Sequence, residues 1–231
     1  MSHIGIVPAR GGSKRVPGKN IRNIAGKPLL AWTAEAALGS RLDRVVLSTD
    51  SEEIAAVGCA AGLEVPFLRL PSLAEDSTTM LPVLLQFLEW LEQVEPTVES
   101  IVLLQPTSPL RLPKHINEAL DLFESRSPES VVSVTDVSST FGASKFMAFE
   151  AGGAVSKVAV QPMHDLVIRN GPAIIITEPQ VIKRRQLYGS PTLGYKMERR
   201  YSLDIDDEED FLFAEQMLMG QLALAHQSSR R

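Results

Sequence analysis

The first 134 residues alternate short apolar runs with longer helical patterns, and this alternation restricts the fold more than any single motif does. The runs are continuously apolar, which is typical of strands buried on both faces of a parallel sheet. The predicted strands are 4–7, 44–49, 65–68, 100–104 and 130–134. Helices are predicted between them, including 81–94, where apolar residues recur every three or four positions. The pattern predicts an α/β fold with a Rossmann-like, mostly parallel sheet covered by helices on both faces.

The second part of the chain has a looser pattern, in which glycine and proline interrupt single apolar runs. The region 136–191 contains one clear predicted strand, at 171–177, and is too long for a loop inside a compact domain. We expect it to be a small irregular dimerisation arm inserted into a single domain, 1–231. A helical pattern returns at 208–224.

The composition fits such a domain and argues against several functions. The chain has 231 residues, 44% of them apolar and 22% charged, with a net charge of −5. A negative net charge argues against binding nucleic acid over a broad face. No apolar stretch is long enough to cross a bilayer, and the N-terminus lacks a signal-peptide pattern. Cys59 is the single cysteine, which excludes an intrachain disulfide and fits a reducing compartment. From the charge, the hydropathy and the cysteine count together, we expect a cytoplasmic protein without nucleic-acid or membrane partners.

The loop after the first predicted strand is rich in glycines and cations. Residues 10–20 contain three glycines and four cations, namely Gly11, Gly12, Gly18, Arg10, Lys14, Arg15 and Lys19. Glycines let the backbone approach an anion, and cations supply charge where a polyphosphate would sit. The loop is not a Walker A motif, because its glycine spacing is one residue too long and Asn20 replaces the magnesium-binding Ser or Thr. It contains no dinucleotide-binding G-x-G-x-x-G pattern either. We interpret it as a phosphate-binding loop, with a flexible basic turn as the alternative.

Other polar segments come after the predicted strands and should meet this loop at the carboxyl edge of the sheet. They are 48–50, Arg69 and 105–109. Prolines fix the last segment, and its Gln105, Thr107 and Ser108 offer hydrogen bonds to a hydroxyl-rich ligand. A rigid turn before the next helix would explain the same prolines.

Two carboxylates occur at alternate positions late in the chain, in Asp204-Ile205-Asp206. Alternate residues of a strand point to one face, so both could reach one Mg²⁺ ion together with substrate phosphate oxygens. The alternative is solvent-facing charge before an acidic helix start, because residues 207–210 are all acidic. The spacing alone does not separate the two interpretations.

Together these segments resemble the CMP-sialic acid synthetase (N-acylneuraminate cytidylyltransferase) family, which includes legionaminic and pseudaminic acid cytidylyltransferases. The matching segments are 9–20, 48–51, 67–69, 73–76, 104–111, 169–171 and 202–206, in the family's order. The resemblance implies that CTP and a nine-carbon sugar acid (a nonulosonic acid) give a CMP-sugar and pyrophosphate. The anomeric hydroxyl of the sugar would attack the α-phosphorus of CTP, with Mg²⁺ as the cofactor.

The resemblance also implies a role for each site residue. The nucleotide and its triphosphate would be held by Arg10, Gly11, Gly12, Ser13, Lys14, Lys19, Asn20 and Arg69. The sugar acid would contact Gln105, Ser108 and Arg169, and Mg²⁺ would be held by Asp204 and Asp206. The catalytic residues would be Arg10, Lys19 and Asp206. A homodimer would form through the arm, which in the family lends cations to the neighbouring site.

The sugar half departs from the sialic acid members. Lys145 lies later than the family's lysine after the fifth strand, and residues 161–164 replace arginines that often precede the Arg-Asn-Gly segment. The order Arg169-Asn170-Gly171-Pro172 resembles relatives that act on legionaminic or pseudaminic acid. Two alternatives stay open: an enzyme for an eight-carbon (Kdo-type) sugar acid, and a catalytically inactive nucleotide-binding relative.

Overall fold

A computed structural model describes residues 2–137, 147–149, 155–157, 166–171 and 173–228 of the chain. The strands are β1 Ser2–Pro8, β2 Asn23–Ile24, β3 Lys27–Pro28, β4 Arg44–Ser48, β5 Val98–Leu103, β6 Ser130–Asp136, β7 Met147–Phe149, β8 Val155–Lys157, β9 Val167–Arg169, β10 Ile175–Thr177 and β11 Thr192–Lys196. The helices are α1 Leu29–Leu38, α2 Glu52–Ala60, α3 Met80–Val94, α4 Pro113–Arg126, α5 Pro179–Lys183 and α6 Glu208–Ser228.

Seven of these strands form one mixed sheet in the order β11-β6-β10-β5-β1-β4, with β9 paired to β6. β1 is parallel to β4 and β5, and β6 is parallel to β11. β10 runs antiparallel between β5 and β6. The prediction of an α/β fold with a mostly parallel sheet is confirmed. None of the described helices is long and apolar enough to cross a membrane.

Helices cover both faces of the sheet and divide the core into two layers. Leu30 of α1 and Leu120 of α4 pack with Val102 on one face. Phe87 of α3 packs with Ile6 on the other face. Because successive strand side chains point to opposite faces, a strand covered on both faces must be apolar throughout. This is why continuous apolar runs were the correct signal for these strands.

A third apolar cluster joins α6 to the glycine-rich loop. Val16, in the middle of that loop, is only 1% exposed and packs with Ile24 and Phe211. The loop is therefore attached to the last helix by a buried apolar side chain, which limits its conformational freedom.

The prediction of a strand at 65–68 is wrong. The chain makes only one isolated bridge there, Val46 with Glu64, beyond the β4 edge. Pro66 comes two residues later, and proline has no N–H to continue a ladder. The prediction at 171–177 is right in type but too long, because β10 contains three residues.

The prediction that Asp204 and Asp206 lie on a strand is also wrong. A 3₁₀ turn, Arg199–Tyr201, precedes a segment without regular secondary structure, 202–206, which joins no sheet within the described residues. The backbone groups of this segment bond elsewhere: Ile205 N–H donates to the carbonyl of Thr107 at 2.9 Å. The carbonyl of Ile205 accepts from Lys19 Nζ at 2.7 Å. These tertiary contacts take the place of the strand pairing that the prediction implied.

Candidate functional site

An open cavity of about 280 Å³ lies at the carboxyl ends of β1 and β5. The parallel pairing of β1 with β4 and β5 brings the loops after these strands to one edge of the sheet. Eight of the predicted site residues line the cavity, namely Arg10, Ser13, Lys14, Lys19, Asn20, Arg69, Gln105 and Asp206. The convergence expected at this edge is therefore observed for most of the candidate residues.

The glycine-rich loop is held by its own hydrogen bonds. Asn20 Nδ2 donates to the carbonyl of Arg10 at 3.0 Å and ties the two ends of the loop together. Gly18 has a φ of 63°, which L side chains rarely adopt, and its carbonyl accepts from Arg22 N–H at 2.9 Å. Gly11 N–H donates to Asp50 Oδ1 at 3.0 Å, so this donor is already engaged. With Val16 buried as well, the loop is an ordered structure, which disfavours a flexible basic turn.

The cations of the loop are paired with carboxylates from distant parts of the chain. Arg10 Nη1 lies 2.7 Å from Asp76 Oδ1, and Lys14 pairs with the same carboxylate. Arg15 Nη1 lies 3.0 Å from Asp206 Oδ1. Lys14 and then Arg10 hold the pKa of Asp76 below its usual value. These contacts can be exchanged for others, because exposed ion pairs contribute little stability.

Lys19 lies deeper than the other cations and next to the carboxylate pair. Its Nζ donates to the Ile205 carbonyl, which lies between Asp204 and Asp206 in the chain. Partial burial lowers the pKa of Lys19 from its ordinary value, whereas Asp204 and Asp206 raise it. Lys19 therefore joins the cationic glycine-rich loop to the late acidic segment.

Asp204 and Asp206 occupy different environments. Asp206 is exposed and lines the cavity. Asp204 is half-buried and does not line the cavity. Burial raises the pKa of Asp204, and the charge of Asp206 adds to the effect. The nearby Thr107 hydroxyl lowers the pKa of Asp204 and so opposes the effect of burial, although the two groups lie outside normal hydrogen-bond geometry. Asp204 Oδ1 is buried without a hydrogen-bond partner among the described residues. An oxygen-only pair of this kind suits a hard cation such as Mg²⁺.

Arg69 forms the wall of the cavity next to β4. Its side chain is 5% exposed, and its Nη2 and Nε donate to the carbonyl and hydroxyl of Ser48 at 2.6 and 3.1 Å. Burial lowers the pKa of Arg69 to about 10, so the guanidinium keeps its charge at neutral pH. It is fixed in place before any ligand binds.

Several predicted residues lie outside this cavity. Ser108 is fully buried and does not reach it. Arg169 is exposed on β9 and donates to the Tyr188 hydroxyl at 2.6 Å. Gly11 and Gly12 are exposed but do not line the cavity. Lys145 and residues 161–164 fall outside the described residues.

The site residues implied by the resemblance do not include three side chains that the structure brings to the site. Asp76 pairs with two loop cations, Arg15 pairs with Asp206, and Thr107 lines the cavity beside Asp204. Asp76 and Thr107 both lie within segments that carried the family resemblance, so that match was the available signal. Nothing local in the sequence indicates the partner of either residue.

A cavity at the carboxyl ends of parallel strands, lined by a cationic glycine-rich loop and by Asp206, is typical of nucleotide-binding α/β proteins. The family is narrower than this class. Residues 4–223 match the model of the cytidylyltransferase family, and the chain belongs to that family of nucleotidyltransferases.

Individual relatives agree with this assignment. The chain is 35% identical over 230 residues to the CMP-N,N'-diacetyllegionaminic acid synthase of Legionella pneumophila, covering 94% of this chain and 97% of that protein. It is 34% identical over 220 residues to the N-acylneuraminate cytidylyltransferase of Streptococcus agalactiae serotype III. That alignment covers 92% of this chain and 52% of the relative, so the chain spans about half the length of that protein. The predicted resemblance to CMP-sialic acid synthetases is confirmed.

The fold also has solved counterparts. A CMP:2-keto-3-deoxy-manno-octonic acid synthetase complexed with CTP superposes with a TM-score of 0.71 and 17% identity, covering 96% of this chain and 99% of that one. A 4-diphosphocytidyl-2C-methyl-D-erythritol synthase of Anaerococcus prevotii gives a TM-score of 0.64 and 14% identity, covering 94% of this chain and 98% of that one. At these identities the likeness establishes the fold and nothing finer.

Proposed function

We propose that this protein is a magnesium-dependent cytidylyltransferase that transfers CMP from CTP to the anomeric hydroxyl of a sialic-acid-type nonulosonic acid. The observation that carries the proposal is a single cavity in which the cationic loop after β1 faces Asp206 and Gln105. Further support is the similarity, over nearly the full length of both chains, to an enzyme named for making a CMP-nonulosonic acid.

The reaction forms one bond and breaks another at the α-phosphorus of CTP. The anomeric oxygen of the sugar bonds to that phosphorus, the bond to the bridging oxygen breaks, pyrophosphate leaves, and the hydroxyl proton passes to a base or to water. Such a transfer depends on positioning and on charge neutralisation more than on covalent catalysis. Arg10, Lys14 and Lys19 are the cations that would neutralise the triphosphate, and Asn20 and Arg69 would hold the nucleoside.

Mg²⁺ would be held by Asp204 and Asp206 together with phosphate oxygens of CTP. Magnesium usually takes one or two carboxylates plus substrate phosphates, and the buried Asp204 Oδ1 has hydrogen-bonding capacity to spare. No cluster of three or more His, Cys, Asp or Glu in the described part of the chain offers a competing site. When bound, Mg²⁺ would neutralise the triphosphate and assist the departure of pyrophosphate.

The sugar acid would bind on the Gln105 side of the cavity, with Arg169 as the candidate partner of its carboxylate. The similarity to the legionaminic acid enzyme makes an N-acylated nine-carbon acid of that type the first substrate to test. An eight-carbon acid is the alternative, because the fold also superposes on a synthetase named for such a sugar.

The test is pyrophosphate release by the purified protein with CTP and Mg²⁺ across a panel of legionaminic, sialic, pseudaminic and eight-carbon Kdo-type acids. We expect turnover with a nine-carbon acid, loss of turnover on chelation of Mg²⁺, and a reduction on the order of 100-fold or more for Asp206→Ala. Turnover with the eight-carbon acid alone would contradict the sugar assignment. If no acid gave pyrophosphate release although the protein still bound CTP, the alternative of an inactive nucleotide-binding relative would be favoured.

A further inference from the structure

Arg111 is a buried cation that the proposed reaction does not use. The residue is 2% exposed, and none of its contacts among the described residues is with a carboxylate. Burial lowers the pKa of Arg111 to about 9, so the side chain is still charged at neutral pH. A buried charge without a counter-ion is costly and is rarely kept without a structural reason.

The guanidinium of Arg111 connects three separate segments through hydrogen bonds. Nη1 donates to the carbonyl of Ala173 and, at 3.4 Å, to the carbonyl of Gln105. Nη2 donates to Thr33 Oγ1 of α1 at 2.8 Å. Gln105 lines the cavity, and Ala173 lies just before β10, so Arg111 joins a cavity loop to the chain that enters the antiparallel strand.

Both of those segments hold the acidic segment in place. The loop after β5 contributes the Thr107 carbonyl, which accepts from Ile205 N–H at 2.9 Å. The chain before Ala173 contributes Asn170, whose Nδ2 donates to Ser202 Oγ at 3.0 Å. It also contributes Gly171, which lies directly against Asp204. Asp204 is thus supported from two sides by segments that meet at Arg111.

Several buried polar atoms around Arg111 have no hydrogen-bond partner among the described residues. Five of the seven buried side-chain atoms without a hydrogen-bond partner, among the described residues, belong to this region, namely Thr107 Oγ1, Ser108 Oγ, Arg111 Nε, Asn170 Oδ1 and Asp204 Oδ1. Buried polar groups normally find partners, so an arrangement that leaves several unpaired must be fixed by its surroundings. Arg111 is the residue whose hydrogen bonds connect the loop after β5 with the chain before β10.

We propose that Arg111 is a positioning residue that sets Gln105 and the Asp204–Asp206 segment at a fixed separation without touching substrate or metal. The inference rests on the proposed function, because Gln105 and the two aspartates would contact the sugar acid and Mg²⁺. It predicts that weakening the Arg111 bonds changes sugar and Mg²⁺ binding much more than metal-free CTP binding, because the cationic loop touches the acidic segment only through Lys19 and Arg15 among the described polar contacts.

Arg111→Lys keeps the charge but cannot reach all three acceptors, because lysine is a point donor whereas arginine is a planar fork. We expect the KM for the sugar acid and the Mg²⁺ concentration for half-maximal rate to rise roughly tenfold each. The Kd for CTP without metal, measured by calorimetry, should stay within about twofold of wild type. The same calorimetry with Mg²⁺ present should show a weaker metal-dependent gain in CTP affinity, which is a readout independent of turnover.

Arg44→Lys is the matched control, since Arg44 lies at the first residue of β4, at the opposite edge of the sheet, where it pairs with Glu64 and Glu95. Arg44→Lys should change thermal stability but leave the KM for the sugar acid and the Mg²⁺ concentration for half-maximal rate unchanged. Thr33→Val is the second variant in case Arg111→Lys does not fold, and it should raise the same two constants by roughly two- to threefold because it removes one of the three acceptors. Wild-type sugar KM and Mg²⁺ dependence in these variants, whatever their kcat, would overturn the inference. Absence of turnover by the wild type would instead overturn the proposed function, and the calorimetry would still test Arg111.

Discussion

At the scale of single residues, Asp76 occupies the place between Arg10 and Lys14 that an anionic ligand would take. Both pairs join exposed or half-exposed groups, and the Asp76 side chain is 44% exposed. Under the proposed function, this carboxylate would compete with the triphosphate of CTP for the two cations. Sequence patterns could not indicate this pairing, because Asp76 lies in a different loop from the cations and nothing in its own neighbourhood identifies them.

Asp76→Asn should tighten CTP binding about two- to fivefold, because it removes a competitor of the phosphates from an exposed ion pair. Calorimetric titration with CTP, and with inorganic tripolyphosphate as a base-free probe, measures the change. Asp121→Asn is a control, since Asp121 of α4 pairs with Arg41 at 2.6 Å and should leave CTP affinity unaltered. Weaker binding by Asp76→Asn would mean that Asp76 orients the cations instead of competing for them.

At the scale of elements, the segment around Asp204 brings Asp206 to the cavity although the strand predicted there is absent. The predicted strand does not form, yet Asp206 still lies close enough to Asp204 to raise the pKa of Asp204, an effect that adds to that of burial. Lys19, Thr107 and Gly171, from three distant parts of the chain, provide the support that a neighbouring strand was expected to give.

Gly171→Ala should disturb this support. Gly171 has a φ of 61°, and a Cβ there would lie 2.5 Å from Asp204 Oδ2. We expect a loss of roughly 1–3 kcal/mol in the free energy of unfolding and a higher Mg²⁺ requirement for turnover. Urea denaturation and Mg²⁺ titration of the rate measure the two effects.

Gly26→Ala separates backbone strain from the contact with Asp204. Gly26 has a φ of 95°, but a Cβ there would meet nothing within 4 Å. It should lose stability through strain while keeping the wild-type Mg²⁺ requirement. If both variants changed the Mg²⁺ requirement equally, the contact with Asp204 would not be the cause.

At the scale of the whole molecule, the region 136–191 carries exposed apolar side chains that fit the predicted dimerisation arm. Val167 and Ile168 of β9 are 47% and 56% exposed, and Val155 of β8 is 54% exposed. Consecutive exposed apolar residues on a strand are a feature of interaction surfaces. Dimerisation through this region, like the cytoplasmic location, stays a prediction.

Light scattering should give about twice the chain mass of 25.2 kDa at working concentration. Ile168→Lys should shift the protein towards the monomer, because it places a charge in the proposed contact. Leu212→Lys is the comparison, since Leu212 of α6 is similarly exposed, at 58%. A wild-type monomer would contradict the dimer, and dissociation by Leu212→Lys alone would move the contact to α6.

The sequence by itself determined the α/β class and the place of the cationic glycine-rich loop, because these depend on patterns within a few neighbouring residues. It also determined the family, because the matching segments follow the family's order along the chain. The apolar runs decided which segments could be covered on both faces, and the glycines and cations of residues 10–20 decided the character of the loop after β1. Only the tertiary structure decided that β10 runs antiparallel, that Ser108 is buried and that Arg111 has no carboxylate among its described contacts. Those outcomes depend on partners far apart in the chain, such as Arg111 with Ala173, 62 residues away, and Lys19 with Ile205, 186 residues away. Such partners are determined by the fold of the whole chain, so a pattern of neighbouring residues cannot predict them.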